Sequence, residues 1–345
     1  PARNFFEIAI ICTRFAEYNA ICLLFDKFWD DYRMPYRFEE NIYIAGQVKK
    51  HNVVLALLPQ SEKLTAATAM AHFRLIYPSL KLFLLVGICG GVPNFKCCGR
   101  KVKPLLGDVV ISHSVVEYQI GSTNEFTRKD SLVDRHDNSR TISSCVCNCF
   151  GTKKDREILQ KTTAKFLIEI QANAKDREEW AGEAMFKYSY PGTAADRLFK
   201  PDYLHKHRTR FSNCSECKGG PDVICDGARQ ASCKETGCDE GQLIFRTSLK
   251  KKQAFEQISR FAAQKPKIHL EPIASNSIVI KNGLERDKIS KEQGVIAFDM
   301  GGSWEMKMIP HVYIKGICDY ADGHTDKRWQ DFAAATAAAA TKALL

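Results

Sequence analysis

Short, continuous apolar runs recur along the first third of the chain. Ile8-Ala9-Ile10-Ile11-Cys12, Val53-Val54-Leu55-Ala56-Leu57 and Leu82-Phe83-Leu84-Leu85-Val86 have no polar alternation. Such runs predict strands buried on both faces, as in a parallel sheet. Between them, Glu17 to Phe28 has apolar positions at helical spacing. Lys63 to Leu75 does too, with Ser61 to cap it and Pro78 to stop it. The third run leads into Gly87-Ile88-Cys89-Gly90-Gly91-Val92-Pro93, whose glycines predict a tight turn after the strand. Asp108 to Ser112 and Val115 to Tyr118 extend the sheet.

The pattern then changes. Thr123 to Ser144 is polar and turn-rich, and Lys153 to Asn173 has the spacing of a helix capped by Thr152. Pro191 to Gly241 is dominated by Cys, Gly, charge and turn residues, which predicts an irregular insertion rather than a second core. Regular alternation returns with strands at Lys267 to Ser275 and Gly294 to Phe298 around a helix at Leu284 to Lys291. A strand over Val312 to Cys318 ends in Asp319, and an alanine-rich helix closes the chain from Trp329 to Leu345. With no internal repeat, residues 1–345 read as one α/β domain: a central mixed sheet flanked by helices, carrying a Cys-rich insertion over 191–241.

Composition adds three constraints. The chain has 345 residues, 45% of them hydrophobic, enough for a sizeable core. No stretch approaches the roughly 18 apolar residues of a membrane span and the start lacks the regions of a signal peptide, so the expected location is cytoplasmic, with a trimmed start. A formal charge of +10 invites nucleic acid, but the basic residues are scattered and lack a groove-reading motif, so they read as a solvated face. Fourteen cysteines, clustered at Cys145, Cys147 and Cys149 and again from Cys214 to Cys238, favour free thiols or a metal over disulfides in a reducing cytosol.

In α/β sheets ligands bind beyond the carboxyl ends of strands. Three places qualify: Glu17 after the first strand, Gly90 and Gly91 after the third, and Asp319 at the end of the last. Spacing alone also allows a solvated helix acid, a plain turn and a capping acid.

Taken together, Ile8 to Glu17, Val53 to Ala67, Val86 to Pro93, Leu106 to Ser112, Ile273 to Ser275, Val295 to Met300 and Ile314 to Asp322 resemble the nucleoside phosphorylase and nucleosidase superfamily, which includes methylthioadenosine/S-adenosylhomocysteine nucleosidase. The stretches Val86 to Pro93 and Lys315-Gly316-Ile317-Cys318-Asp319-Tyr320-Ala321-Asp322 resemble its fungal branch, as does the cysteine-bearing insertion after Tyr190-Pro191-Gly192-Thr193. Domains of that branch also stand at the front of immune-receptor-like proteins. The resemblance implies a three-layer nucleoside-phosphorylase-like fold and cleavage of an N-glycosidic bond without a catalytic cofactor. Asp319 falls on the acid that protonates the leaving base, and Glu17 on the glutamate that activates water. It further implies a small-molecule pocket including Gly90, Gly91, Tyr118, Ser275, Phe298, Met300, Gly301, Ser303 and Trp304. Dimers, trimers or hexamers are common in the family, which implies a homo-oligomer of unfixed number.

The chain departs from the pattern in three places. Where the family has Phe-Glu-Met-Glu before a small residue, this chain has Phe298-Asp299-Met300-Gly301-Gly302-Ser303-Trp304, which puts Gly301 at the ribose-holding glutamate. Losing that charged hydrogen bond costs on the order of 2–4 kcal/mol, roughly 30- to 1000-fold. Gln60-Ser61-Glu62-Lys63 replaces a Gly-x-Gly-Lys turn, and Tyr118-Gln119-Ile120-Gly121-Ser122 lacks an anion-binding Arg, which argues against phosphorolysis. Three functions follow, in this order: a recruited enzyme with a more apolar pocket, resembling the norbornene-forming Diels-Alder cyclases of sordarin-type diterpene biosynthesis, with Asp319, Ser303 or Tyr118 as donor; a purine nucleoside hydrolase; and an inactive nucleoside sensor. For the insertion, Cys214 and Cys217 with two of Cys225, Cys233 and Cys238, and His205 or His207 as substitutes, suit a structural zinc.

Overall fold

The computed structural model describes residues 1–29, 42–58, 73–97, 100–112, 115–117, 149–181, 187–208, 224–275, 280–299 and 311–345. Strand β1 (Ile8–Cys12) is buried at every residue and lies between two parallel neighbours, β4 (His51–Leu57) and β5 (Leu82–Gly91). Helix α1 (Phe15–Cys22) follows β1. The sheet's outer strands on that side are β2 (Lys27–Phe28) and β3 (Ile42–Val48), paired antiparallel to each other and on to β4. Helix α1 is therefore shorter than the predicted Glu17–Phe28 segment, because the chain turns back at Phe25 to add an edge strand. The helix expected over 63–75 lies mostly outside the described residues.

After the small hairpin of β6 (Phe95–Cys97) and β7 (Arg100–Val102) come β8 (Val109–Ser112) and β9 (Val115–Glu117). Helix α2 (Lys153–Ala181) starts where expected, with the Thr152 hydroxyl accepting the Asp155 amide at 3.1 Å. The described parts of the 191–246 region, 191–208 and 224–246, are built from short pieces, among them α3 (Asp226–Gln230) and α4 (Cys233–Thr236), and lead into α5 (Thr247–Ile258) and α6 (Arg260–Ala263). The single strand expected over 267–275 is two, β10 (Ile268–His269) and β11 (Ile273–Ser275), since Pro272 between them has no amide to continue a ladder. Helix α7 (Gly283–Gln293), with Asn282 as its cap and Gly294 in the left-handed conformation at its end, precedes β12 (Ala297–Asp299). Then come β13 (His311–Asp319) and α8 (Lys327–Leu344).

The main path of the sheet is β10-β8-β13-β5-β1-β4-β3-β2, with β12 joined to β5 and β11 joined to β12 and β9. β13 runs parallel to β5 and antiparallel to β8, so the sheet is mixed, as expected. α8 lies on β13 and β5 with its alanines buried, among them Ala333, Ala335 and Ala337 to Ala340. Gly316 is what lets it approach: a Cβ there would stand 2.1 Å from the Ala333 carbonyl oxygen. Among the described residues no helix is long and apolar enough to cross a membrane.

Candidate active site

β5 is the longest strand among the described residues and organises the site. Its glycines are not the turn that their sequence suggested; Gly90 and Gly91 lie inside the strand, paired with β12 and, at Gly90, with β13 as well. They are needed for clearance. A Cβ on Gly90 would sit 2.9 Å from Asp319 Oδ1, and one on Gly91 2.7 Å from Ile317 Cγ2.

Glu17 is at the third position of α1 and reaches back to the helix start. Its Oε2 accepts the Thr13 and Arg14 amides, each at 3.0 Å, which satisfies two donors left open where β1 gives way to α1. Oε1 accepts the Ile88 amide of β5 at 3.0 Å. β1 pairs with β5 only as far as Ile11 and Leu85, so the carboxylate fills the ladder position that β1 vacates. Gly87 makes the room: its Cβ would lie 2.6 Å from Oε1. The side chain is thus a buried, fully anchored acid, not a solvated face. Burial pushes its pKa up, and Lys315 is the strongest influence in the other direction.

Asp319 ends β13 at an irregularity in register. Ile317 pairs with Cys89 but Asp319 pairs with Gly90, so one extra residue is absorbed and the acid is re-aimed. Its Oδ1 accepts the Ala321 amide at 2.9 Å, and Ala321 is held at φ +50°, a left-handed conformation that costs a non-glycine residue about 1–2 kcal/mol. Burial is the main reason that the Asp319 carboxyl titrates at about 6 instead of near 3.8. A carboxyl at that value is half protonated near pH 6 and keeps its proton in about a tenth of molecules at pH 7, far more than an ordinary aspartate.

The loop after Asp319 is clamped from outside the sheet. The Tyr320 hydroxyl donates to Asp196 Oδ1 at 2.8 Å, and Arg246 Nη1 donates to the same oxygen at 2.9 Å. Arg286 Nη1 donates to the Tyr320 carbonyl at 2.8 Å. All four side chains are buried.

Near Glu17 lies a group that sequence reasoning missed. Lys315, on β13 opposite Gly87, is buried and bridges to Asp299 Oδ1 of β12 at 3.1 Å. A lysine inside an otherwise apolar strand was the available signal; its partner, 16 positions away in sequence, gave none. Burial works against the Lys315 charge, but Asp299 and Glu17 outweigh it and raise the pKa. Asp299 Oδ2 and the Ser275 hydroxyl are buried without a hydrogen-bond partner among the described residues, and the two residues face each other across the β11–β12 ladder. They are polar groups with spare capacity at the same end of the sheet.

Of the expected site residues, Glu17, Gly90, Gly91, Ser275, Phe298 and Asp319 therefore collect around the end of β5. Ile88 and Gly90, which contact the two acids, are two positions apart on it, about 7 Å. Tyr118, Met300, Gly301, Ser303, Trp304, Cys214 and Cys217 lie outside the described residues, as do the departures at 60–63 and 118–122. A separate cleft of about 750 Å³, lined by Gln171, Tyr188, Arg260 and Phe261 among others, lies against α2 and contains neither acid.

No protein-family model matches the chain. Among curated proteins, a nucleotide-binding leucine-rich repeat (NLR)-like protein of Hyaloscypha variabilis is 25% identical over 346 residues, covering 99% of this chain. The chain spans only 29% of that relative's length. Similar solved structures include futalosine hydrolase of Helicobacter pylori, with a TM-score of 0.47, 10% identity, and coverage of 99% of this chain and 97% of that one. Another is 5'-methylthioadenosine/S-adenosylhomocysteine nucleosidase of Neisseria meningitidis in complex with methylthio-immucillin-A, with a TM-score of 0.46, 13% identity, and coverage of 98% and 97%.

Proposed function

We propose that the chain is a nucleosidase-superfamily domain that cleaves the N-glycosidic bond of a purine nucleoside. The observation that carries this reading is the pair at the end of β5: a buried Asp319 that titrates at about 6, and a Glu17 fixed by three backbone amides. The roles are complementary. Asp319 gives its proton to a ring nitrogen of the base as the C–N bond breaks and the bonding electrons leave with the base. Water attacks the anomeric carbon, and its proton passes to Glu17, whose buried carboxylate is the stronger base for being desolvated. Lys315 favours the ionised form of that carboxylate against the effect of burial, and it pairs with Asp299 on β12.

The recruited-cyclase reading rests on Gly301 and Trp304, which lie outside the described residues, and no described contact favours it. The sensor reading draws support from the NLR-like relative, of which this chain matches a part. One assay separates all three. Incubation with adenosine, inosine and methylthioadenosine, followed by chromatography of free base, should show release that Asp319→Asn lowers by on the order of 100-fold or more. The wild-type rate should fall as pH rises above about 6, where the acid loses its proton. Nucleoside binding without release would overturn cleavage in favour of sensing. Absence of both would favour a remodelled pocket.

A further inference from the structure

We propose that His205, Cys233, Cys238 and His324 form a tetrahedral zinc site that fastens the 191–246 region to the loop after Asp319. Three of the four already converge: the metal-ligating atoms of His205, Cys233 and Cys238 lie within 4.8 Å of one another. His205 Nδ1 is 3.3 Å from the Cys238 sulfur and 3.9 Å from the Cys233 sulfur. A zinc ion with Zn–S near 2.3 Å and Zn–N near 2.0 Å holds its ligand atoms roughly 3.5–3.8 Å apart, so little movement is needed.

The local chain is built for this convergence. Ser232 and Glu235 form a reciprocal cap on the one-turn helix α4, and Gly237 ends it in the left-handed conformation at φ 74°. The Cys238 amide returns to the Cys233 carbonyl at 2.9 Å, so the Cys-x4-Cys spacing closes on itself and presents both sulfurs together. His205 is buried, and its Nε2 lies 2.9 Å from the Ala231 carbonyl. A donor there fixes the tautomer and leaves the Nδ1 lone pair facing the sulfurs, the support commonly found behind a metal-binding imidazole.

His324 supplies the fourth ligand. Its side chain is 2% exposed, its ring stands edge-on to His205 at 5.0 Å, and it interacts with Cys238. Asp322 Oδ1 lies 3.3 Å from Nδ1, a carboxylate placed to orient the ring, and both ring nitrogens are buried without a hydrogen-bond partner among the described residues. Stacking on Phe199, at 4.1 Å between ring centres, fixes the ring plane. Two thiolates and two imidazoles in a closed arrangement suit zinc better than calcium or magnesium, which take oxygen ligands. The ligand set differs from the one expected from sequence. Cys225 caps α3, accepting the Ala228 amide, and meets His207 at 3.4 Å outside this cluster. His324 lies over 80 positions from the insertion's cysteines and was not considered.

The test uses the full chain, purified without chelator. Elemental analysis should find about one zinc per chain. After zinc removal, cobalt(II) should restore a strong thiolate-to-cobalt charge-transfer band and the visible absorption of a tetrahedral ion. Cys233→Ser with Cys238→Ser should drop zinc below a tenth of an equivalent. Cys214→Ser with Cys217→Ser should keep it, and His324→Ala should bind cobalt at least tenfold more weakly while retaining the charge-transfer band. Less than a tenth of an equivalent after incubation with excess zinc, with no cobalt band in the wild-type chain, overturns the site even if the variants fail to fold. Zinc that follows Cys214 and Cys217 instead of Cys233 and Cys238 overturns the ligand assignment. Neither result depends on nucleoside cleavage.

Discussion

Ionising Asp319 in the folded chain carries a thermodynamic cost. In the unfolded chain its carboxyl ionises near 3.8, and in the folded chain at about 6, so over that interval the folded state binds the proton more tightly. Stability therefore falls as pH rises from about 4 to about 6, by up to about 3 kcal/mol, and stays lower above it. Asp319→Asn removes the penalty, because an amide never has to ionise in the buried site. The variant should unfold at higher temperature than the wild type at pH 7.5, with the advantage vanishing near pH 4. Calorimetry at the two pH values checks this, and equal stability at pH 7.5 would mean that solvent reaches the carboxyl. The same substitution should lower base release by on the order of 100-fold or more, so stability and activity should move in opposite directions at this one position.

The contact between α8 and the sheet depends on one glycine more than on the alanines that line it. Ala-rich helices are readable from sequence, but the reason for small residues is the approach of backbone to backbone at Gly316. Gly316→Ala puts a methyl group against a main-chain carbonyl that no rotamer change can move. It should cost at least about 2 kcal/mol, read as a shift in the urea midpoint. Gly91→Ala, whose obstacle is the Ile317 side chain, should cost less, because that side chain can turn. This contrast marks how far the sequence was legible. Buried strands announced themselves as apolar runs, and β1, β4, β5 and β13 were found that way. That Glu17 and Asp319 stand at or just past the ends of strands, at one end of the sheet, was legible from their places in the sequence. The glycines of β5 were misread as a turn because clearance for a neighbouring strand's side chains leaves no local trace. Lys315 with Asp299, and His324 with the insertion's cysteines, were missed for the same reason: each pairing exists only once distant segments are brought together.

At the scale of the molecule, the two ends of the 191–246 region and the sheet are joined through a buried charge network that also holds the loop after Asp319. Asp196 and Arg246 lie at either end of that region, Tyr320 follows Asp319, and Arg286 comes from α7; the Trp329 indole adds a hydrogen bond to the Ala195 carbonyl at 3.0 Å. Removing one member of a buried ion pair leaves the other without compensation, which typically costs about 3–5 kcal/mol, whereas losing one neutral hydrogen bond costs about 1 kcal/mol. Arg246→Met should therefore lower the free energy of unfolding several-fold more than Tyr320→Phe, which keeps the Asp196–Arg246 pair. Adding Asp196→Asn to Arg246→Met should recover part of the loss, since the stranded carboxylate is then neutral. If the network also holds the Asp319 loop in place, Arg246→Met should reduce kcat for base release at temperatures where the variant is still folded, with a smaller change in KM. A midpoint shift under about 1 kcal/mol for Arg246→Met would show that the region and the sheet are held together by apolar packing, with the charges as passengers.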